Sequence, residues 1–350
     1  MKLGGECCIR NHVQSLFGGM RWRGVFSFEV RGGGLGKRFE RMNVDKLAPI
    51  AIFAYNRLRH LEKTAESLKA NCLAGQSELL IYSDGPKNQE DEMRVQEVRD
   101  YLKTLSGFKM ITIVERERHL GLANSIIAGV TSTIGNYGKV IVVEDDLVSS
   151  KSFLSYMNEA LECYKDQKKV FSITGYNYPL KIPQHYKHGV YLFYRCSSWG
   201  WATWVDRWIK VDWGVSDFSK FLRDKARQKL FNRGGEDLTP MLISQMSGGI
   251  DSWAIRWCYA HYSNNAYCLY PTISMIQNIG LDASGTHCAG STDKFRVKID
   301  NGEICDITFP QDLEIDEDII QELRKMFRIS IGKRILEKLK RLINKIVRNG

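Results

Sequence analysis

Between Pro49 and Val143 one pattern recurs four times: a short apolar run, a polar turn, then a stretch with helical spacing. The runs are Pro49 to Tyr55, Glu78 to Tyr82, Met110 to Val114 and Val140 to Val143. All four read as strands, and Val140 to Val143, apolar and bounded by Gly138 and by charge, reads as one buried on both faces of a parallel sheet. Between them Leu58, Leu61, Ala65 and Leu68 recur at helical spacing up to Cys72, Glu90 to about Leu105 reads as a charged helix, and Leu120 to Ile134 as an apolar one. Successive βα units close most readily as a parallel, doubly wound sheet with right-handed crossovers. The chain is therefore expected to be α/β, with a mostly parallel Rossmann-like sheet flanked by helices. Ser152 to Tyr164 adds a helix, and Val170 to Thr174 and Ala266 to Leu269 add strands.

In an open sheet of this kind, ligands bind outside the carboxyl ends of the strands. All four exits carry polar groups: Asn56 and Arg57, then Asp84 in a Ser-Asp-Gly-Pro turn, then Arg116 to His119, then Glu144-Asp145-Asp146. The three acids stop an apolar strand abruptly. Clustered carboxylates repel one another, and sharing a divalent cation and a ligand's phosphates relieves that repulsion. Arg57 or Arg118 can neutralise phosphate, and Asp84 can accept a bond from a ribose or base. The ordinary alternative is a solvated acidic turn, with Asp146 capping a helix that starts near Ser150.

Further along, five of the eight tryptophans fall between residues 199 and 213. Core packing accounts for some of them. Trp199 and Trp201, on either side of Gly200, also suit a wall on which a sugar ring stacks. Phe218 to Phe231 reads as one charged helix. Asp251 follows Gly248 and Gly249 and precedes a helix, the place of an N-cap and also a place from which a carboxylate can take a hydroxyl proton. His287 lies in a Gly/Ser-rich loop, where a histidine is either simply exposed or a metal ligand.

The formal charge of +10 is confined to the two ends. Residues 1–42 carry a surplus of five positive charges and residues 319–350 a surplus of eight, which leaves the body slightly acidic. A nucleic-acid-binding domain carries its basic excess on the body, so nucleic acid is set aside. Nine scattered cysteines show no zinc or CxxC spacing and read as free thiols. Residues 1–42, rich in Gly and Arg without periodicity, are expected to be disordered, with translation alternatively starting at Met42. The Gly32 to Gly36 run lacks the strand and helix that a phosphate loop requires.

Taken together, the opening strand with Arg57, the Asp84 turn, His119 followed by Ala123, Glu144-Asp145-Asp146 after its strand, Trp199-Gly200-Trp201, Asp251 before a helix and the late His287 resemble a GT-A fold nucleotide-sugar glycosyltransferase of the N-acetylglucosaminyltransferase I-like group. The resemblance spans about Pro49 to His287. It implies that Arg57, Asp84 and His119 contact the nucleotide and that Glu144 and Asp145 contact ribose and sugar. It also implies that Asp146 and His287 hold Mn²⁺ (or Mg²⁺) on the diphosphate and that Asp251 deprotonates the acceptor. UDP is the nucleotide favoured by the resemblance. One departure bears on the base: the animal enzymes carry an acidic doublet before the tryptophan, whereas Ile250-Asp251-Ser252-Trp253 has a single acid.

The expected organisation is an N-terminal extension over 1–42, a glycosyltransferase domain over 43–315 and a basic helical tail over 316–350. From 331 to 347 the tail is two-sided, with Ile331, Ile335, Leu339, Leu342 and Ile346 on one face and Lys338, Arg341 and Lys345 on the other. Such a helix suits an anionic membrane surface, which would place the enzyme at the cytoplasmic face beside a glycan or lipid-linked acceptor. Two other readings share some features. A sugar-nucleotide nucleotidyltransferase shares the crevice but would show a Gly-rich basic signature after the first strand, where this chain has Asn56-Arg57-Leu58. A non-enzymatic membrane-active or carbohydrate-binding protein would draw on the tail and the tryptophans alone.

Overall fold

A computed structural model describes residues 47–282, 293–300 and 307–329. The extension over 1–42, His287 and the helix expected over 331–347 lie outside the described residues. The four expected βα units are present: β1 (Ile50–Ala54), α1 (Leu58–Lys69), β2 (Glu78–Ser83), α2 (Gln89–Leu102), β3 (Met110–Glu115), α3 (Leu122–Tyr137) and β4 (Lys139–Glu144). The strands pair in parallel in the order β3-β2-β1-β4. Ile50 to Ala54 and Val140 to Val143 are buried throughout, as their unbroken apolar character requires.

Close packing of α3 on this half depends on Gly129, where a Cβ would come within 2.5 Å of the Phe53 ring. Below it Tyr82 Oη and Thr133 Oγ1 share a buried hydrogen bond of 2.8 Å. Gly138, in the left-handed region at φ 75°, ends α3 and returns the chain directly into β4.

The second half turns the sheet mixed. After β5 (Leu147–Ser149) and α4 (Phe153–Cys163) come β6 (Val170–Thr174), β7 (Val190–Phe193) and β8 (Trp201–Trp204). Small helices α5 (Val205–Trp208), α6 (Phe218–Arg223), α7 (Lys225–Phe231) and α8 (Leu238–Met246) then lead to α9 (Trp253–Ser263), β9 (Tyr267–Pro271) and β10 (Ile276–Asn278). The full order is β3-β2-β1-β4-β8-β6-β9-β7, with β8 and β7 antiparallel to their neighbours and β6 parallel to β9. Four of the seven adjacent pairs among the described residues are parallel, so the sheet is mostly parallel, although not throughout.

Several local expectations change. The aromatic segment from Gly189 to Trp204 contains strands β7 and β8, fully buried and so without alternation to reveal them. Phe218 to Phe231 is two helices, because Asp224 is extended and its carboxylate accepts from Ala226 and Arg227 N–H, starting a new helix. Asp146 caps no helix: β5 intervenes, and Ser152 stands at the N-cap of α4. The N-cap of α9 is Ser252, whose hydroxyl accepts from Ile255 N–H; Asp251 precedes it.

The last described helix, α10 (Glu317–Met326), is capped by Asp316 and buries Ile319, Ile320 and Leu323. Phe327 follows, edge-on to Tyr178 with ring centres 5.1 Å apart and with the Arg195 guanidinium 4.1 Å above its ring. This part of the C-terminal segment packs on the body of the fold. Among the described residues no helix is long and apolar enough to cross a membrane.

Candidate active site

Glu144 closes β4 beside Phe53 of β1, and the chain turns at Asp145 and Asp146 before β5. Arg57, the residue immediately before α1, reaches the turn from the neighbouring strand exit. Its Nη2 donates to Asp145 Oδ1 and, at 2.9 Å, to Asp146 Oδ2. Thr64 Oγ1 on α1 donates to the Asp145 carbonyl at 2.9 Å, which fixes the turn from below. The two aspartates are 5% and 8% exposed, a depth at which carboxylates are tolerated only when paired.

The opposite wall is the exit of β10, antiparallel to β5. Ile279 N–H donates to the Asp146 carbonyl at 2.8 Å, and Gly280 follows. A Cβ on Gly280 would come within 2.2 Å of Asp146 Oδ2, so only glycine lets this backbone close on the carboxylate. The chain then reaches Asp282, which pairs with His60 Nε2 on α1 at 3.1 Å and draws the segment across the crevice. Gly280, His60, Asp282 and Thr64 were not singled out in the sequence, and their meeting depends on contacts between distant segments.

Two buried polar atoms in this cluster, Asp146 Oδ1 and Arg57 Nη1, have no hydrogen-bond partner among the described residues. Burial pushes the Glu144 carboxyl well above its ordinary range, and repulsion from Asp146 and Asp145 pushes the same way. Burial raises Asp145 to about 6, with Arg57 opposing the shift and Asp146 adding to it. Burial acts against the charge on Arg57, but attraction from Asp145 and Asp146 outweighs it and raises its pKa. Ionised, the three acids and one guanidinium leave two negative charges uncompensated. A divalent cation matches that deficit, and the orphaned Asp146 Oδ1 is a fitting oxygen for one. Among the described residues no three His, Cys, Asp or Glu side chains gather as a ready-made metal cage.

A second cluster occupies the exits of β1, β2 and β3. Asp84 is buried, and its carboxylate accepts from Leu120 N–H and Gly121 N–H at 3.0 Å. His119 Nδ1 stands 3.1 Å from Asp84 Oδ2 and from the Gly85 carbonyl. Asp84 thus fastens the loop that carries Arg118 and His119, and Gly85 lies hard against the Arg118 backbone, where a Cβ would come within 2.6 Å. Arg118 itself is exposed. Tyr55, missed in the sequence, packs its ring 4.8 Å from that of His119. Its hydroxyl donates to Asp91 Oδ2 at 2.8 Å, while Asn56 holds the other oxygen at 2.8 Å. Burial, then the bond to Asp91, pushes the Tyr55 hydroxyl up to about 12, so it stays protonated.

The tryptophan segment divides in two. Trp201 is fully buried, its ring packed at 5.1 to 5.9 Å from those of Trp253, Trp208 and Trp257. It belongs to the core, and the expectation of a sugar contact fails for it, because no ring face is left for a ligand. Trp199 is half-buried and edge-on to Tyr176 at 4.5 Å. Gly200 takes a left-handed φ of 56°, and a Cβ there would strike Ile276 at 2.7 Å, so the turn before β8 closes directly on β10. Since Trp201 pairs with Val142 of β4, Trp199 and Gly200 lie at the same sheet edge as the acids. The Asp251 side chain is 64% exposed, with Arg256 Nη2 3.9 Å from Oδ1. The structure thus gathers Arg57, Glu144, Asp145 and Asp146 in one cluster and Asp84 and His119 in another.

No protein-family model matches the chain, and no curated protein matches it. Among solved structures it is similar to S. aureus TarS, at 13% identity and TM-score 0.35 over 65% of this chain and 37% of that one. A structure of S. aureus TarS 1-349 gives 14%, 0.35, 65% and 60%. The mannosyltransferase PcManGT from Pyrobaculum calidifontis, in complex with GDP-Man and Mn²⁺, gives 14%, 0.32, 57% and 58%. The chain thus spans less than two thirds of each of these structures. Likeness at this level is too slight to carry an activity across.

Proposed function

We propose that the chain is a metal-dependent, inverting glycosyltransferase of the GT-A kind, moving a sugar from a nucleoside-diphosphate donor to a hydroxyl of a glycan or lipid-linked acceptor. The observation that carries this reading is the pair of buried acids at the end of a parallel strand, held by one arginine, with Asp146 Oδ2 against a glycine that only close approach explains and Asp146 Oδ1 left without a partner among the described residues. In the proposed complex Asp146 holds Mn²⁺ or Mg²⁺, with His287 and the donor's phosphates completing the set. His287 is five residues beyond Asp282, a span of at most about 18 Å in an extended chain. The cation supplies positive charge to the departing diphosphate.

The other roles fall to the chain's own residues. Arg57 and Arg118 bind phosphate, His119 and Tyr55 pack beside the nucleotide, and Asp84 positions their loop. Glu144 and Asp145 meet ribose and sugar. Trp199 and Gly200 shape the acceptor side, and Asp251 takes the acceptor proton, which suits direct displacement with inversion. UDP, and an N-acetylhexosamine or hexose, are favoured through the sequence resemblance alone. The basic 331–347 segment would hold the enzyme peripherally on an anionic membrane at its cytoplasmic face. Truncation after Ile329 should then abolish sedimentation with phosphatidylglycerol vesicles while donor binding persists, and continued sedimentation would count against that role.

The test is thermal unfolding with a panel of nucleoside diphosphates, with and without Mn²⁺. A ligand at one hundred times its Kd stabilises the native state by about 2.7 kcal/mol. One diphosphate should raise the Tm in a Mn²⁺-dependent way, and Asp146→Asn should remove the metal-dependent part. A panel without effect, or a shift that survives Asp146→Asn, would overturn the proposal.

A further inference from the structure

Arg57 uses its guanidinium in an unusual way. An arginine settled on carboxylates normally lays its fork across them, two nitrogens to two oxygens. Here a single nitrogen, Nη2, serves both Asp145 and Asp146, while Nη1 is buried and has no partner among the described residues. On the acid side Asp146 Oδ1 is equally buried and unpartnered. One positive centre bridging two carboxylates, with valences idle on both partners, is the arrangement a divalent cation would make more completely. The Arg57 side chain is also the most exposed of the three, at 21% against 7% and 11%, so it has a way out toward the crevice.

We propose that Arg57 is a resident counter-ion that trades places with the metal. In the free protein it offsets the repulsion between the acids. When donor and cation arrive, the cation takes Asp146 and Arg57 moves to the diphosphate, where its fork is fully used. No covalent bond forms or breaks in this exchange. Arg57 and the cation therefore compete for Asp146, metal alone binds weakly, and the diphosphate relieves the competition by giving Arg57 another partner. This inference rests on the metal reading proposed above and adds a sign to it: removing a positive charge from the site should tighten metal binding in the absence of nucleotide.

The experiment is a Mn²⁺ titration followed by electron paramagnetic resonance, without nucleotide, on the full chain and on Arg57→Met, Arg57→Lys and Asp146→Asn, with folding checked by circular dichroism. Arg57→Met should bind Mn²⁺ about tenfold or more tightly than the wild type, since a buried competing charge has been removed. Arg57→Lys, which keeps the charge, should stay close to the wild type. If Arg57→Met does not fold, Arg57→Gln gives the same comparison. Equal or weaker binding by Arg57→Met, with Asp146→Asn still abolishing binding, would overturn the exchange while leaving the metal site standing. Absence of saturable Mn²⁺ binding in every protein, with GDP or UDP added as well, would remove the metal site and the exchange with it.

Discussion

Replacing Gly280 by alanine puts one methyl group where the structure has no room for it. The new Cβ would lie 2.2 Å from Asp146 Oδ2 and 2.9 Å from both its Cβ and Cγ. Nonbonded carbon atoms settle at about 3.5 Å or beyond, so one wall must retreat by roughly 1 Å. Neither moves easily. Asp146 is a short side chain held by Arg57 at 2.9 Å, and the Gly280 backbone is tied by its own bond to Asn278 Oδ1 at 2.7 Å and by the Ile279 bond to the Asp146 carbonyl. Overpacking of this kind costs about 1–3 kcal/mol. At roughly 2–4 °C per kcal/mol, the chain should lose about 2–12 °C in Tm. Scanning calorimetry with and without Mn²⁺ and the nucleoside diphosphate reads both consequences: a lower Tm for the free protein and a diminished ligand-dependent rise. Gly135→Ala in α3, where nothing lies within 4 Å of the added methyl, is the control and should gain about 0.5–1 kcal/mol. A Gly280→Ala protein that melts within about 1 °C of the wild type with the full ligand shift would refute the reasoning.

Two further outcomes follow from the same geometry. His261 is fully buried between the Trp257 carbonyl at 2.8 Å and Ser172 Oγ at 2.7 Å, and burial lowers its pKa to about 4 despite the bond to Trp257. Against an unfolded value near 6.5, its contribution is fully present above about pH 6.5 and declines toward pH 4, by about 3 kcal/mol in all; urea unfolding at pH 7 and 4.5 should show a smaller acid loss in His261→Gln, and equal losses would contradict this. Asp251→Asn should keep the nucleotide-dependent Tm shift while transfer falls by about 10²–10⁴, and turnover at the wild-type rate would exclude Asp251 as the base.

The βα half of the fold was legible because short apolar runs alternate with stretches of helical spacing, and the chain from Ile50 to Glu144 carries both. The mixed half was less so. Trp201-Ala202-Thr203-Trp204 is a strand covered on both faces, so its composition looks the same as that of a packed loop. The same ambiguity made Trp201 resemble a sugar platform when it is core.

What the sequence determined alone was local: which runs become strands, where β4 stops, and that acids, an arginine and a histidine stand at strand exits. Which of those groups meet was decided only by the tertiary structure. Arg57 and Asp146 are 89 residues apart and touch because β1 and β4 are neighbours in the sheet. Gly280 closes on Asp146 because β10 returns antiparallel to β5, and Asp84 is spent on holding the loop of Arg118 and His119 because β2 and β3 end side by side. Strand order depends on long-range burial that no local window contains, so the members of the site could be read from the chain while its contacts could not.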